Sequence, residues 1–403
     1  MHGASIQPSS SRRPPDVTFG RAAAFDVVLA TRFGSRAGAI AQPIVAAEPT
    51  ISAGSTAPAG PEPFREFLGR RRFASLDGLR ALGVLSVVWH HTVSRGWGGV
   101  SLFFALSGFL ITTGLIRAHL RGEFSIAAFY ERTARRILPL YFAVLAVYLA
   151  MVLFLERDVA ARQQFLTNLP AFATFTANWF VDLNQPRVIF YFVWSLSAQV
   201  QFYLVWPWIE RKRRPWLAIL LAVAFLLLSQ TLAAVDGATA REVLGLRMLS
   251  GVPAGILIGI VLAHALHTRR AFAALRPVCG RRGSGWAALG VVAWLAWFPN
   301  AAGAGHEALA ALAHASLIAT CVMREDHDLA RLLRWRALAA VGVVGYGVYL
   351  MHMLAVNAVR RCEQRWDFHS GYLEFAGGLL LAVALAIVSR RLFEQRFLAE
   401  RAA

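Results

Sequence analysis

Apolar runs of roughly 18 residues, each long enough at about 1.5 Å per residue to cross a hydrocarbon layer of about 30 Å, recur from residue 77 to residue 393. Short arginine-bearing stretches separate them. The pattern predicts spans near 77–93, 98–117, 137–155, 189–209, 216–234, 244–267, 286–303, 306–323, 337–358 and 371–393, about ten in all. An eleventh stretch, FLTNLPAFATFTANWFV at 165–181, is more polar and contains Pro170. The expected fold is all-α: a polytopic transmembrane helical bundle.

Charge placement decides what the eleventh stretch does. With Arg70, Arg71 and Arg72 inside, two spans return the chain to the cytoplasm at Arg117, Arg121, Arg132, Arg135 and Arg136, and a third leads out. The cluster Arg211, Lys212, Arg213 and Arg214 then falls inside only if 165–181 does not cross, so that stretch is expected to be re-entrant or interfacial. The remaining spans put both termini in the cytoplasm. Arg360, Arg361 and Arg365 break the rule, in an expected outer loop with Glu363 and Asp367 where they are partly neutralised or dock an anionic acceptor.

Ahead of the bundle, residues 1–69 are rich in Ala, Ser, Pro and Gly and show neither a sustained apolar run nor a signal-peptide pattern. They read as a disordered cytoplasmic tail, or as sequence upstream of the true start. Residues 70–396 form the transmembrane domain and 397–403 a C-terminal tail.

Composition agrees with a membrane protein: 57% of the 403 residues are hydrophobic and 16% charged. The net charge of +18 sits in clusters between apolar runs rather than along one face, which argues for topology and against a nucleic-acid partner. Cys279, Cys321 and Cys362 lie outside any metal-ligand spacing, and no residue is assigned to a metal.

Five stretches carry candidate chemistry. In LDGLRALGVLSVVWHHTV, residues 76–93, His91 follows Arg80 by eleven helical steps, about 16 Å, and so lies at or beyond mid-bilayer if Arg80 marks the inner boundary. His90 points about 100° away, so the two histidines cannot face one site. Ionisable groups inside spans usually face a protein interior or a polar path; both histidines could instead be interfacial. In GGVSLFFALSGFLITTGLI, residues 98–116, Ser101, Ala105, Gly108 and Thr112 form a small-residue stripe that admits a neighbouring helix or an acyl chain. FYERTARRILPLY, residues 129–141, groups Arg132, Arg135 and Arg136 before Pro139, which suits the first turn of the next span. These guanidiniums could hold phosphates or simply anchor the chain inside. WSLSAQVQFYLVWPW, residues 194–208, brings Ser195, Ser197, Gln199 and Gln201 into an apolar setting. In YGVYLMH, residues 346–352, Tyr349 and His352 share a helix face.

In this order, the five stretches resemble the acyltransferase 3 family of integral membrane O-acyltransferases over roughly residues 73–395. The resemblance implies acyl transfer, most simply of acetyl, from a cytoplasmic acyl-CoA co-substrate to a hydroxyl of a glycan or lipid-linked saccharide, at the bacterial inner membrane. It implies no bound cofactor. His91 corresponds to the family's catalytic histidine, and Arg132, Arg135 and Arg136 to its donor-binding arginines. Asp77, Arg80, His90, Ser107, Gln199, Tyr203, Tyr349 and His352 are supporting residues. A separate extracytoplasmic transfer protein is an expected partner.

Two positions depart from the family pattern. Thr133 replaces the first arginine of an R-x-x-R pair, and Ala198, Gln199 and Val200 replace a valine and two acidic residues. Gln199 can hydrogen-bond but supplies no negative charge. The alternatives are a polytopic transporter, a different histidine-dependent acyltransferase using His314 or His352, and a non-catalytic relative.

Overall fold

The first described helix, α1 (Glu62–Gly69), begins inside the stretch expected to be a tail. It buries Phe64 and Phe67, which stand three apart and share one face. The computed structural model describes residues 62–93, 98–183, 185, 187–234, 245, 248–249, 251–298 and 305–398, all within one unit, Ala46–Ala403. Residues 1–61 and 399–403 of the expected tails lie outside the described residues, as do parts of the 244–267 and 286–303 spans.

Helices follow as α2 (Ser75–Thr92), α3 (Gly99–Leu120), α4 (Ile126–Phe154), α5 (Val159–Ala173) and α6 (Ala177–Phe180). A short 3-10 turn, Tyr191–Val193, leads into α7 (Trp194–Glu210) and then α8 (Pro215–Ala234). Next come α9 (Ala254–Leu266), α10 (Arg269–Cys279), α11 (Ser284–Trp297), α12 (His306–Met323) and α13 (Ala330–Leu333). The chain closes with α14 (Arg336–Val343), α15 (Gly345–Arg365), α16 (Gly371–Ser389), a π-turn at Arg390–Glu394, and α17 (Gln395–Leu398). Among the described residues every regular element is helical.

Among the described residues, five helices are long and apolar enough to cross a membrane: α3, α4, α8, α12, and α16 continued to Leu398. Two bent pairs, α9 with α10 at 111° and α14 with α15 at 81°, raise the number to seven. The expected ten is therefore too many. Asp77, Arg80 and the two histidines make α2 too polar, while α7 and α11 stop at 17 and 14 residues. Among the described residues of the 244–267 run, the helix that leads to the sharp turn is the 13-residue α9.

Pro139 lies inside the 29-residue α4 rather than in a first turn. Ser125 caps that helix by accepting a hydrogen bond from the Ala128 amide, so the arginine segment and the apolar run form one rod. Proline removes one backbone bond there, and the rest of the long apolar helix carries the turn. The 165–181 stretch folds into α5 and α6, each too short to span about 30 Å. It packs back on α4: Phe165 and Phe172 are buried, and the Tyr141 hydroxyl donates to the Phe172 carbonyl at 2.7 Å.

The small-residue stripe of α3 receives α9. A Cβ at Gly108 would stand 2.1 Å from the Ile256 carbonyl oxygen, and one at Gly259 would stand 2.4 Å from that of Ala105. The two backbones therefore touch directly.

Candidate active site

His91 occupies the last turn of α2, half-buried, while neighbouring His90 is exposed. Two elements converge on it, through three side chains. From the 3-10 turn, the Tyr191 hydroxyl lies 2.8 Å from His91 Nδ1. From α15, the His352 ring stacks on the His91 ring at 5.2 Å and 27°. Also from α15, Arg360 donates through Nη2 to the His91 carbonyl oxygen at 2.6 Å, satisfying an otherwise orphaned group at the helix end.

Each partner is itself held. Phe190, immediately before Tyr191, adopts a left-handed φ of 65° that bulky L-residues rarely tolerate. The conformation persists because the Phe190 ring is fully buried among Tyr141, Tyr148, Phe172 and Phe192. Tyr349 donates to the Phe192 carbonyl at 2.6 Å and is bonded by the Ser195 hydroxyl at 2.5 Å, tying α15 to the start of α7. His352 Nδ1 bonds the Tyr349 carbonyl, which requires the proton on Nδ1 and leaves a lone pair on the buried Nε2. Arg360 Nε binds Glu374 Oε2 at 2.7 Å.

At the other end of α2, Asp77 holds two guanidiniums, Arg72 at 2.6 Å and Arg80 at 2.5 Å. Arg136 of α4 lies within electrostatic reach of Arg80, Tyr203, Arg390 and Glu394. The Tyr203 hydroxyl donates to Ser107 Oγ at 3.2 Å. This end of the molecule thus gathers Arg80, Arg136 and Arg390 around a tyrosine and a serine, a group suited to phosphate oxygens.

The structure brings His91, Tyr349 and His352 together at one end, and Asp77, Arg80, Ser107, Arg136 and Tyr203 at the other. Arg135 instead pairs along its own helix with Glu131 at 2.9 Å, and Arg132 is exposed beside the same glutamate. Gln199 is half-buried on α7. Sequence reasoning missed Tyr191, Glu374, Arg390 and Glu394. It placed Arg360, Arg361 and Arg365 in a loop, whereas all three lie on α15. The signal for Arg360 was its departure from the positive-inside rule; its partner is Glu374, eleven residues beyond Glu363.

Membrane-length helices, with imidazoles at one end of α2 and guanidiniums at the other, describe an integral membrane protein. The chain belongs to the acyltransferase 3 family, whose acyltransferase domain matches residues 73–391. It is 33% identical over 155 residues to peptidoglycan O-acetyltransferase OatA of Listeria monocytogenes, covering 34% of this chain and 24% of that protein. It is 27% identical over 313 residues to putative peptidoglycan O-acetyltransferase YrhL of Bacillus subtilis, covering 70% of this chain and 48% of that one. Putative O-acetyltransferase SACOL0978 of Staphylococcus aureus shows 30% identity over 156 residues, 36% of this chain and 26% of its own. The chain thus matches between about a quarter and about a half of these relatives' lengths. No solved structure matches.

Proposed function

We propose that this protein is an O-acyltransferase of the bacterial inner membrane that moves an acetyl group from acetyl-CoA on the cytoplasmic side to a glycan hydroxyl on the far side. The single observation that carries the reading is the His91 cluster: an imidazole held by Tyr191 at Nδ1 and stacked on His352, at the opposite end of α2 from Arg80. Relatives whose names specify peptidoglycan O-acetylation support acetyl as the group and a wall glycan as the acceptor.

The chemistry requires one tautomer, which the Tyr191 hydroxyl accommodates because it can accept from Nδ1–H. With Nδ1–H donating to the Tyr191 oxygen, His91 Nε2 carries the lone pair and takes the acceptor's hydroxyl proton. The acceptor oxygen attacks the thioester carbonyl, and a tetrahedral intermediate forms. The carbon–sulfur bond then breaks, and the thiolate leaves with the proton returned from His91. An ester and free CoA result. No carboxylate meets the His91 ring among the bonds described, and Tyr191 takes the orienting place that an acid would occupy. Arg80, Arg136 and Arg390 hold the donor's phosphates, and the thioester arm runs along α2 for about 16 Å to reach His91.

A second reading makes His352 the base, favoured by its fixed tautomer and open, buried Nε2. Mass spectrometry of wall glycans from cells carrying wild-type, His91→Ala or His352→Gln protein separates the two. Loss of one acetyl's mass from the glycan in His91→Ala supports the first; acetylation intact in His91→Ala but lost in His352→Gln supports the second. No change in either strain sinks both.

A further inference from the structure

The connection from α15 to α16 carries a cluster that the acyl-transfer reading does not use. Glu363 on the last turns of α15, His369 in the connection and Glu374 in the first turn of α16 each bring a ligand atom to within 4.8 Å of the others. Both carboxylates are withdrawn from solvent, with side chains only 3% and 1% exposed. One oxygen of each is occupied by the protein: Glu363 Oε2 accepts from the Ser370 amide at 3.4 Å, and Glu374 Oε2 from Arg360 Nε at 2.7 Å. The other oxygen of each, Oε1, is buried and has no hydrogen-bond partner. A buried, unpaired carboxylate oxygen is costly, and two carboxylates of one cluster that each carry one call for a shared cation.

A protonated His369 fits that need poorly. Its Nδ1 lies 3.5 Å from Glu363 Oε2 and 3.4 Å from Glu374 Oε1, whereas charge-assisted hydrogen bonds close to about 2.7–2.9 Å. Ligand atoms held about 2.0–2.1 Å from one tetrahedral metal stand about 3.3–3.4 Å apart, close to the two imidazole–carboxylate spacings of 3.5 and 3.4 Å, and the two carboxylates stand within 4.8 Å of each other. Arg360 on the far oxygen of Glu374 is the hydrogen-bonded support that a ligating carboxylate usually has. Arg360 offsets one of the two negative charges, so the cluster without an ion retains one. His369 is 78% exposed and leaves an open side for entry and for a water as the last ligand.

We propose that Glu363, His369 and Glu374 form a divalent-cation site of the zinc class, which ties the α15–α16 hairpin to the catalytic turn of α2. One imidazole and two carboxylates suit zinc better than calcium, which prefers six or more oxygens. Coupling to His91 runs through two bonds, from Glu374 to Arg360 and from Arg360 to the His91 carbonyl oxygen. Arg360 and Glu374 are positioning residues in this arrangement. The binding itself rests on no assignment of the reaction.

The test uses the full chain, purified in detergent without a histidine tag, stripped with chelator and titrated with zinc chloride. Wild type should retain a single zinc through desalting, and its thermal midpoint should rise on zinc addition. His369→Ala, whose exposed ring the fold does not need, and Glu363→Gln, which keeps an acceptor for Ser370, should each weaken retention about ten-fold or more. Wild type retaining no more zinc than His369→Ala, or a wild-type midpoint that zinc does not move, overturns the proposal. Because both readouts are independent of turnover, the site and the acyl-transfer reading fail separately.

Discussion

In the proposed reaction His91 presents Nε2 to the acceptor, and the Tyr191 hydroxyl, 2.8 Å from Nδ1, holds the ring in that orientation. Tyr191→Phe keeps the ring that packs edge-on against His91 but removes the bond to Nδ1. The imidazole can then carry its proton on either nitrogen, and the wrong tautomer cannot accept the acceptor's proton through Nε2. Tyr191→Phe should lower the transfer rate about ten-fold, a share of the roughly 10²–10⁴ that a positioned base contributes, with the donor's KM unchanged. Steady-state kinetics with acetyl-CoA check this; an unchanged rate would mean that the hydroxyl has no part in orienting the base. His91 and His352 were both legible in the sequence as histidines in apolar runs. Tyr191 was not, because it follows a left-handed residue in an irregular segment, and only the tertiary aromatic cluster explains why that residue tolerates its conformation.

Between elements, the backbones of α3 and α9 approach closely along the small-residue stripe. Gly108 and Gly114 lie on the same helix with opposite surroundings: a Cβ at Gly108 strikes the Ile256 carbonyl, and one at Gly114 meets nothing within 4 Å. Gly108→Ala should destabilise the protein by about 1–3 kcal/mol through forced separation of the helices, while Gly114→Ala should stabilise it by about 0.5–1 kcal/mol through reduced chain entropy. Thermal midpoints in detergent moving in opposite directions would bear this out; a rise in both would mean that α3 and α9 are not in backbone contact. The stripe itself was visible as spacing in the sequence, but periodicity cannot say whether a helix or an acyl chain fills it. Span counting was less secure for a related reason. Hydropathy reports apolar content, whereas breaks such as the one between α9 and α10 depend on where Thr268 turns the chain, and the polar groups of α2 make a site-bearing helix look less apolar than its neighbours.

At the scale of the whole molecule, the proposed reaction divides two tasks along α2, anion holding near Arg80 and proton transfer at His91. Sequence spacing placed Arg80 and His91 eleven steps apart on one helix, and both lie on α2. It gave the arginines less well: of the three flagged on α4, Arg136 faces the cluster, while Arg390 arrives from the other end of the chain through the π-turn and is anchored by the Val343 carbonyl at 2.8 Å. The separation has a kinetic signature. With purified protein in lipid vesicles, labelled acetyl-CoA and a soluble glycan acceptor, the decisive measurement is kcat and KM for wild type, His91→Ala and Arg136→Ala. The account predicts that His91→Ala lowers kcat by about 10²-fold or more with little change in KM, and that Arg136→Ala raises KM with kcat largely kept. Wild-type kcat in His91→Ala would contradict it.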